Sequence, residues 1–272
     1  MITGLLAVIC GGGDLGSGVG VRFYRAGIRV VVTELPTPLA VRRYVSFAEA
    51  IISGSTFVEE VPARKAENLE EVISILDQGI VPVLVDPEMQ FLQWLKPDIL
   101  VDARLRKVPA ESSLDAASLV IGLGPGFTAG VNCHAVVETK RGPTLGRVYW
   151  SGTAEADSGI PEGVNGFVEE RVLRAPRDGV FKSRVKICDF VQKNQIVAEV
   201  DGEPIRAGFD GVIRGLVMDG LVVLRGMKVG DVDPRRDPRL CNIVSDKSLA
   251  VGGGALEAVL SKPELRCRLC GD

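Results

Sequence analysis

Three glycines spaced as Gly-x-Gly-x-x-Gly, at Gly11, Gly13 and Gly16, with an acid at Glu34 about 20 residues further on, are the residues best placed to handle a phosphate-bearing ligand. Gly11 allows a tight turn, Gly13 lets the backbone approach a phosphate, and Gly16 lets a helix meet a strand. The amino end of that helix would supply the positive end of a dipole. A carboxylate at Glu34 could accept hydrogen bonds from a ribose diol. Asp14 lies within the turn, where its charge would repel a phosphate, so it suits a helix cap or a ligand hydroxyl.

A second glycine run, Gly122-Leu123-Gly124-Pro125-Gly126-Phe127, would expose backbone amides as a nest for an anion, which adds Gly122, Gly124, Gly126 and Phe127 to the candidate binding set. Arg42 and Arg43 could grip a phosphate or form a solvated helix face. Asp86, Asp102 and Arg104 follow apolar runs of strand length and would face a ligand crevice or cap the next turn. His134 is the only histidine, and Glu138 stands four residues later. This pair forms the candidate set for proton transfer, though one histidine supplies little material for a zinc site or a nucleophilic triad. Whether any reaction is catalysed stays open on these residues. Cys267 and Cys270 form a CxxC near the end of the chain, a weak candidate for metal or redox chemistry. The other four cysteines sit singly in apolar stretches and read as buried thiols.

The elements that must position these groups follow from the apolar pattern. Leu5 to Cys10 is a strand that enters the first glycine turn, Val19 to Ala26 a helix, and Ile28 to Thr33 the next strand. Further strands are expected at Ile80 to Val85, Asp98 to Val101 and Ser118 to Ile121, with a short helix near Met89 to Leu95. Cys241 to Ser245 reads as a strand, Gly252 to Gly254 as a third glycine turn, and Ala255 to Leu260 as a closing helix. The segment Arg174 to Asp201 recurs without a gap as Arg206 to Asp233, with period-two valines between Asp-Gly turns. Such a repeat resembles the biotinyl/lipoyl type of barrel-sandwich, but the link Gly202-Glu203-Pro204-Ile205 has no lysine to carry a swinging cofactor.

The expected fold class is therefore α/β, a Rossmann-like parallel sheet domain plus a small all-β barrel-sandwich (biotinyl/lipoyl-like) domain. The expected division is 1–168 for nucleotide or cofactor binding, 169–236 for the repeat, and 237–272 for a C-terminal segment that packs back on the first domain and ends in the CxxC tail. With 272 residues, 46% hydrophobic and 25% charged, the chain can build these cores. A formal net charge of −3 gives no basic field, so nucleic acid and anionic membrane are not expected as partners. No apolar run reaches the roughly 20 residues of a membrane span, and no signal pattern opens the chain, so a cytoplasmic protein is expected. Small anionic ligands and other proteins are the expected partners, and assembly into a homo-oligomer is compatible with the composition.

Taken together, GGGDLGSG, ELPTPLAVRR, GLGPGFTAG with NCHAVVETKRG, the stretch from Gly226 to Arg235, and SDKSLAVGGGALEAVL resemble the selenium-dependent molybdenum hydroxylase accessory proteins (YqeB-like), which are related to the xanthine dehydrogenase accessory factors. The resemblance runs from about residue 6 to 260. It implies an accessory protein for maturation of such a hydroxylase, with the molybdopterin cofactor or an NAD(P)-like dinucleotide as ligand and the apo molybdenum hydroxylase or other maturation proteins as partners. The alternative reading is an NAD-dependent oxidoreductase, with Glu34 on the adenosine ribose and His134 as proton donor.

Overall fold

The computed structural model describes residues 4–105, 114–156 and 170–270. The chain divides into two compact units, unit 1 comprising Met1–Pro38, Ser46–Asp157 and Val244–Asp272, and unit 2 comprising Leu39–Val45 and Ser158–Ile243.

Unit 1 contains strands β1 (Leu6–Cys10), β2 (Arg29–Glu34), β3 (Ser55–Val58), β4 (Val61–Ala66), β5 (Val81–Val85), β6 (Ile99–Asp102), β7 (Leu119–Leu123), β8 (Thr128–Ala129), β9 (Ala135–Val137), β10 (Val148–Tyr149) and β11 (Gly152–Thr153). Its helices are α1 (Asp14–Arg25), α2 (Glu49–Ser53), α3 (Leu69–Asp77), α4 (Leu92–Leu95), α5 (Asp246–Leu260) and α6 (Pro263–Cys270). The main sheet has the order β10-β9-β7-β6-β1-β2-β5-β4-β3, and β8 pairs with β11 in a two-stranded ribbon. The strands from β9 to β4 are mutually parallel, while β10 and β3 run antiparallel at the two edges. All five residues of β1 and of β7 are buried, as expected of strands covered on both faces.

Helix α1 carries Gly16, Gly18 and Gly20, a composition that weakens an isolated helix by about 1 kcal/mol per glycine. Close packing offsets this. A Cβ on Gly18 would stand 2.5 Å from the carbonyl oxygen of Ser248, and one on Gly252 would stand 2.5 Å from that of Gly18. Residues 14 to 22 thus run alongside residues 248 to 252 in the same direction, and α1 and α5 lie parallel. The run Gly252 to Gly254 is not a turn. It sits in the middle of a 15-residue helix, where it lets α5 approach α1 and the carbonyl of Gly146. The strand expected at Cys241 to Ser245 does not form; a 3-10 turn, Pro238–Cys241, precedes the Ser245 cap of α5.

Unit 2 contains β12 (Val172–Arg174), β13 (Gly179–Ser183), β14 (Phe190–Val191), β15 (Ile196–Val200), β16 (Glu203–Arg206), β17 (Gly211–Leu216), β18 (Val222–Val223) and β19 (Lys228–Asp233). They form two four-stranded sheets, β12-β19-β17-β14 and β16-β15-β13-β18. Each repeat lends its two-residue strand to the sheet of the other, because β14 pairs with β17 and β18 pairs with β13. A single core of Leu, Ile, Val and Phe side chains, including Phe181, Val197, Val212 and Val229, fills the unit.

The expected fold class is corrected on both counts. The first unit is built on a mixed sheet rather than a parallel one, since antiparallel strands close both edges. The second unit is a pair of strand-exchanged antiparallel sheets, not a clear barrel-sandwich of the biotinyl/lipoyl type. Of the link, Glu203 to Ile205 are part of β16 and pair with β15, and the exposed tip of that hairpin is Asp201–Gly202, which holds no lysine.

Candidate functional site

The carboxyl ends of the central strands lie level with one another. Cys10 of β1 is in register with Thr33 of β2 and Asp102 of β6, and Asp102 with Gly122 of β7. The chain leaves β1 at Gly11 in the left-handed region, with φ 99°, and the Gly11 amide donates to the Thr33 carbonyl at 2.8 Å. Any Cβ on Gly11 would stand 3.1 Å from the Ala103 backbone, and one on Gly16 would collide with the Gly11 carbonyl oxygen. Gly12 is closed in by Ala48 and Val32, and its carbonyl accepts from the Ala48 amide and the Ser17 hydroxyl, each at 2.9 Å. Gly13 differs from all of these. It caps α1 in an extended conformation, with no side-chain cap bond, and nothing lies within 4 Å of a Cβ placed on it.

Glu34 stands beside this opening. Its two carboxylate oxygens accept from the Gly12 amide at 2.7 Å and the Leu35 amide at 2.8 Å, while burial pushes its carboxyl above the usual range. Asp14 points away from the opening, because its carboxylate accepts from the Ser248 hydroxyl at 2.7 Å. Ser248 also bonds Ser245, whose side chain caps α5, at 2.8 Å between hydroxyls. The amino ends of α1 and α5 therefore lie side by side, joined through Asp14, and both dipoles present their positive ends there. Ser17 ties the turn to the following segment by accepting from the Phe47 amide at 2.8 Å. Sequence reasoning missed Ser17 and Ser248; their only signal was their position beside the glycine runs.

The second glycine turn lies two strands from the first, about 10 Å across the sheet. Its glycines make room for side chains of the protein itself. A Cβ on Gly122 would collide with the ring of Phe127, which is buried against it, and one on Gly124 would stand 2.5 Å from the Thr139 hydroxyl. The Gly124 amide donates to the Val137 carbonyl at 2.9 Å, and the Thr128 amide to the Asn132 side chain at 2.7 Å. Of the anion nest expected at Gly122, Gly124, Gly126 and Phe127, Gly122 is thus packed by the Phe127 ring and Gly124 by Thr139.

Asp102 is buried and forms a two-pronged ion pair with Arg104, whose Nε lies 2.9 Å from it. Beneath them burial and the Asp102 charge push the Cys10 thiol up to about 12, so Cys10 stays protonated. Asp86 accepts from the amides of Gln90 and Phe91 at 2.8 and 3.0 Å and caps the turn after β5. Arg42 and Arg43 belong to unit 2, where Arg42 donates to the Ile243 carbonyl at 2.8 Å and Arg43 to the Leu216 carbonyl at 3.0 Å. They serve backbone carbonyls of that unit.

His134 and Glu138 are not brought together. They flank the two ends of β9, roughly 13 Å apart along extended chain. His134 accepts the Val120 amide at Nδ1, 2.9 Å away, which leaves the ring proton on Nε2; burial and the nearby Lys262 charge hold its pKa below the usual imidazole value. Glu138 is fully buried and accepts three backbone amides, those of Thr139, Lys140 and Glu155, each at 2.8 Å. It organises the loop after β9. Cys267 is exposed on α6, and Cys270 ends that helix. Among the described residues no group of three or more His, Cys, Asp or Glu is arranged to hold a metal ion, and no helix is long and apolar enough to cross a membrane.

No protein-family model matches the chain. It is 44% identical over 255 residues, 94% of its length, to the uncharacterized protein YqeB of Escherichia coli strain K12. The chain is a homologue of YqeB. It spans about half, 47%, of the length of that curated relative. Among solved structures, an aspartoacylase family protein from Mesorhizobium loti aligns over 85% of both chains at 13% identity, with a TM-score of 0.28. The succinylglutamate desuccinylase/aspartoacylase of Rhodobacter sphaeroides aligns over 85% of both chains at 16% identity, with a TM-score of 0.25. Scores of this size do not place the chain among deacylases. The accessory role in molybdenum hydroxylase maturation is nevertheless corrected, together with its selenium and molybdenum vocabulary and the NAD-dependent oxidoreductase alternative. The YqeB relative is named only as an uncharacterized protein, and no relative or structure named here bears such a role in its name.

Proposed function

We propose that unit 1 binds a nucleotide-type ligand, an adenine dinucleotide or a part of one, at the turn between β1 and α1. The observation that carries this reading is the open side of Gly13, the one glycine of the Gly11 to Gly16 turn whose Cβ position is free while its neighbours are closed by backbone or core side chains. Phosphate would sit against the first amides of α1, where the adjoining amino end of α5 adds to the favourable potential. Glu34 has one amide on each oxygen, so each oxygen keeps a lone pair for one hydroxyl of a ribose diol.

Calorimetric titration of the purified chain with ADP, ADP-ribose and NAD tests this. At least one of them is expected to bind with a Kd at or below about a micromolar, near −8 kcal/mol. The matching 2′,3′-dideoxy nucleotide is expected to bind at least tenfold more weakly, because it offers Glu34 no diol. Absence of heat with all three ligands overturns the reading.

A further inference from the structure

Cys188 has a backbone φ of 79°, a left-handed conformation that disfavours a residue with a Cβ. Its counterpart in the second repeat is Gly220, with φ 82°. The local bonding is the same in both, since the Cys188 amide donates to the Ile213 carbonyl at 2.8 Å and the Gly220 amide to the Phe181 carbonyl at 2.9 Å. Phe181 and Ile213 are themselves counterparts in the repeat. The fold therefore demands a left-handed residue at both places. One repeat meets the demand with glycine and the other with a cysteine, at a cost in backbone strain that the surrounding structure must offset.

The sulfur of Cys188 points at the 3-10 turn that ends in Cys241. It lies 3.8 Å from the Pro238 carbonyl at the start of that turn, and the Cys241 sulfur lies 3.5 Å from the Ile213 carbonyl that also takes the Cys188 amide. Cys188, through its amide, and Cys241, through its thiol, thus meet at the same Ile213 carbonyl, and both cysteines are free. Cys188 is half-buried and within reach of a reagent, whereas Cys241 is fully buried and its thiol is pushed up to about 12, chiefly by burial.

We infer that Cys188 and Cys241 form a reversible disulfide, a redox latch that ties the first repeat to the turn following the second. A small disulfide, RSSR, is the oxidant. The Cys188 thiolate attacks one of its sulfurs, forming a mixed disulfide and expelling one thiolate RS⁻. The Cys241 thiol then loses its proton to solvent or to RS⁻ and attacks the Cys188 sulfur. This forms the internal bond and releases a second RS⁻. The two cysteine sulfurs are oxidised, RSSR is reduced to two RSH, and two protons pass from protein to product.

The test uses the full chain with Cys267 and Cys270 replaced by serine, so that the helix α6 cysteines cannot contribute. After treatment with oxidised glutathione, intact mass is expected to fall by two hydrogen atoms, and peptide mapping to recover Cys188 joined to Cys241. The melting temperature is expected to rise by at least about 5 °C and to return on reduction. Cys188→Gly, which places in the first repeat the residue the second already uses, should fold and show neither change. Persistence of a glutathione adduct on Cys188, four thiols that remain titratable in denaturant where Cys10 and Cys133 alone are expected, or the same mass loss in Cys188→Gly each overturns the inference.

Discussion

Glu34 and Gly12 are joined by a 2.7 Å hydrogen bond from amide to carboxylate, which fixes the acid at the end of β2 against the glycine turn that leaves β1. The bond makes the turn and its acid a single unit, and burial of that unit holds the Glu34 carboxyl above the ordinary 4.5. The sign follows directly. A carboxyl raised on folding adds stability when protonated, and that contribution is lost as pH rises from the unfolded value through the folded one. Nucleotide affinity runs the other way, since the ribose diol donates to the ionised form. Affinity is therefore expected to fall as pH drops through the folded pKa, above 4.5, and Glu34→Gln should flatten that profile in calorimetry.

Helix α1 should be intolerant of small additions where it meets its neighbours. Gly16→Ala drives a methyl group into the Gly11 carbonyl, and Gly252→Ala drives one into that of Gly18. Each substitution is expected to lower unfolding free energy by about 1–3 kcal/mol despite the better helix propensity of alanine, read from the midpoint of urea unfolding. An unchanged or raised midpoint would mean, for Gly252→Ala, that α1 and α5 do not approach as described and, for Gly16→Ala, that the Gly11 turn does not close on α1 as described.

Glu138 should behave as a structural residue. Its replacement by alanine leaves three backbone amides, one of them buried, without their acceptor, and a loss of about 2 kcal/mol is expected in urea unfolding, whereas Glu138→Gln should recover part of it. Nucleotide binding by the folded fraction should not change.

His134 is expected to matter for stability and not for ligand. Its neutral ring accepts the Val120 amide, and its pKa is held below the ordinary 6.5. The stability it contributes is present above that unfolded value and is lost as pH falls through the folded one. His134→Ala should cost about 1–2 kcal/mol at neutral pH, lose this part of the pH dependence, and leave nucleotide affinity unaltered.

The apolar runs of β1, β2, β5, β6 and β7 were legible because strands covered on both faces need continuous hydrophobic sequence. The antiparallel edge strands β3 and β10 escaped notice because they are short, and the neighbouring β4 because it alternates and carries charges such as Arg64 and Lys65. At the candidate site both turns were read from their spacing, but the packing of Phe127 against Gly122 was not legible. In sequence, a glycine that makes room for a ligand is indistinguishable from one that makes room for Phe127. The same holds for the glycines of α5, whose role depends on Gly18 and Gly146 far away in the chain. Asp14 could be placed only once Ser248, from the other end of the sequence, stood beside it.

The central claim is that the open face of Gly13 is where the phosphate of a nucleotide sits, and the Gly13→Val variant measures it directly. Gly13 has an ordinary φ of −71° and no neighbour within 4 Å of its Cβ position, so valine fits the backbone and fills only the proposed ligand space. Calorimetric titration of this variant with the nucleotide that binds the unaltered chain is expected to show at least a hundredfold loss of affinity, with a melting temperature changed by no more than a few degrees. Full affinity in a folded Gly13→Val protein would contradict the account.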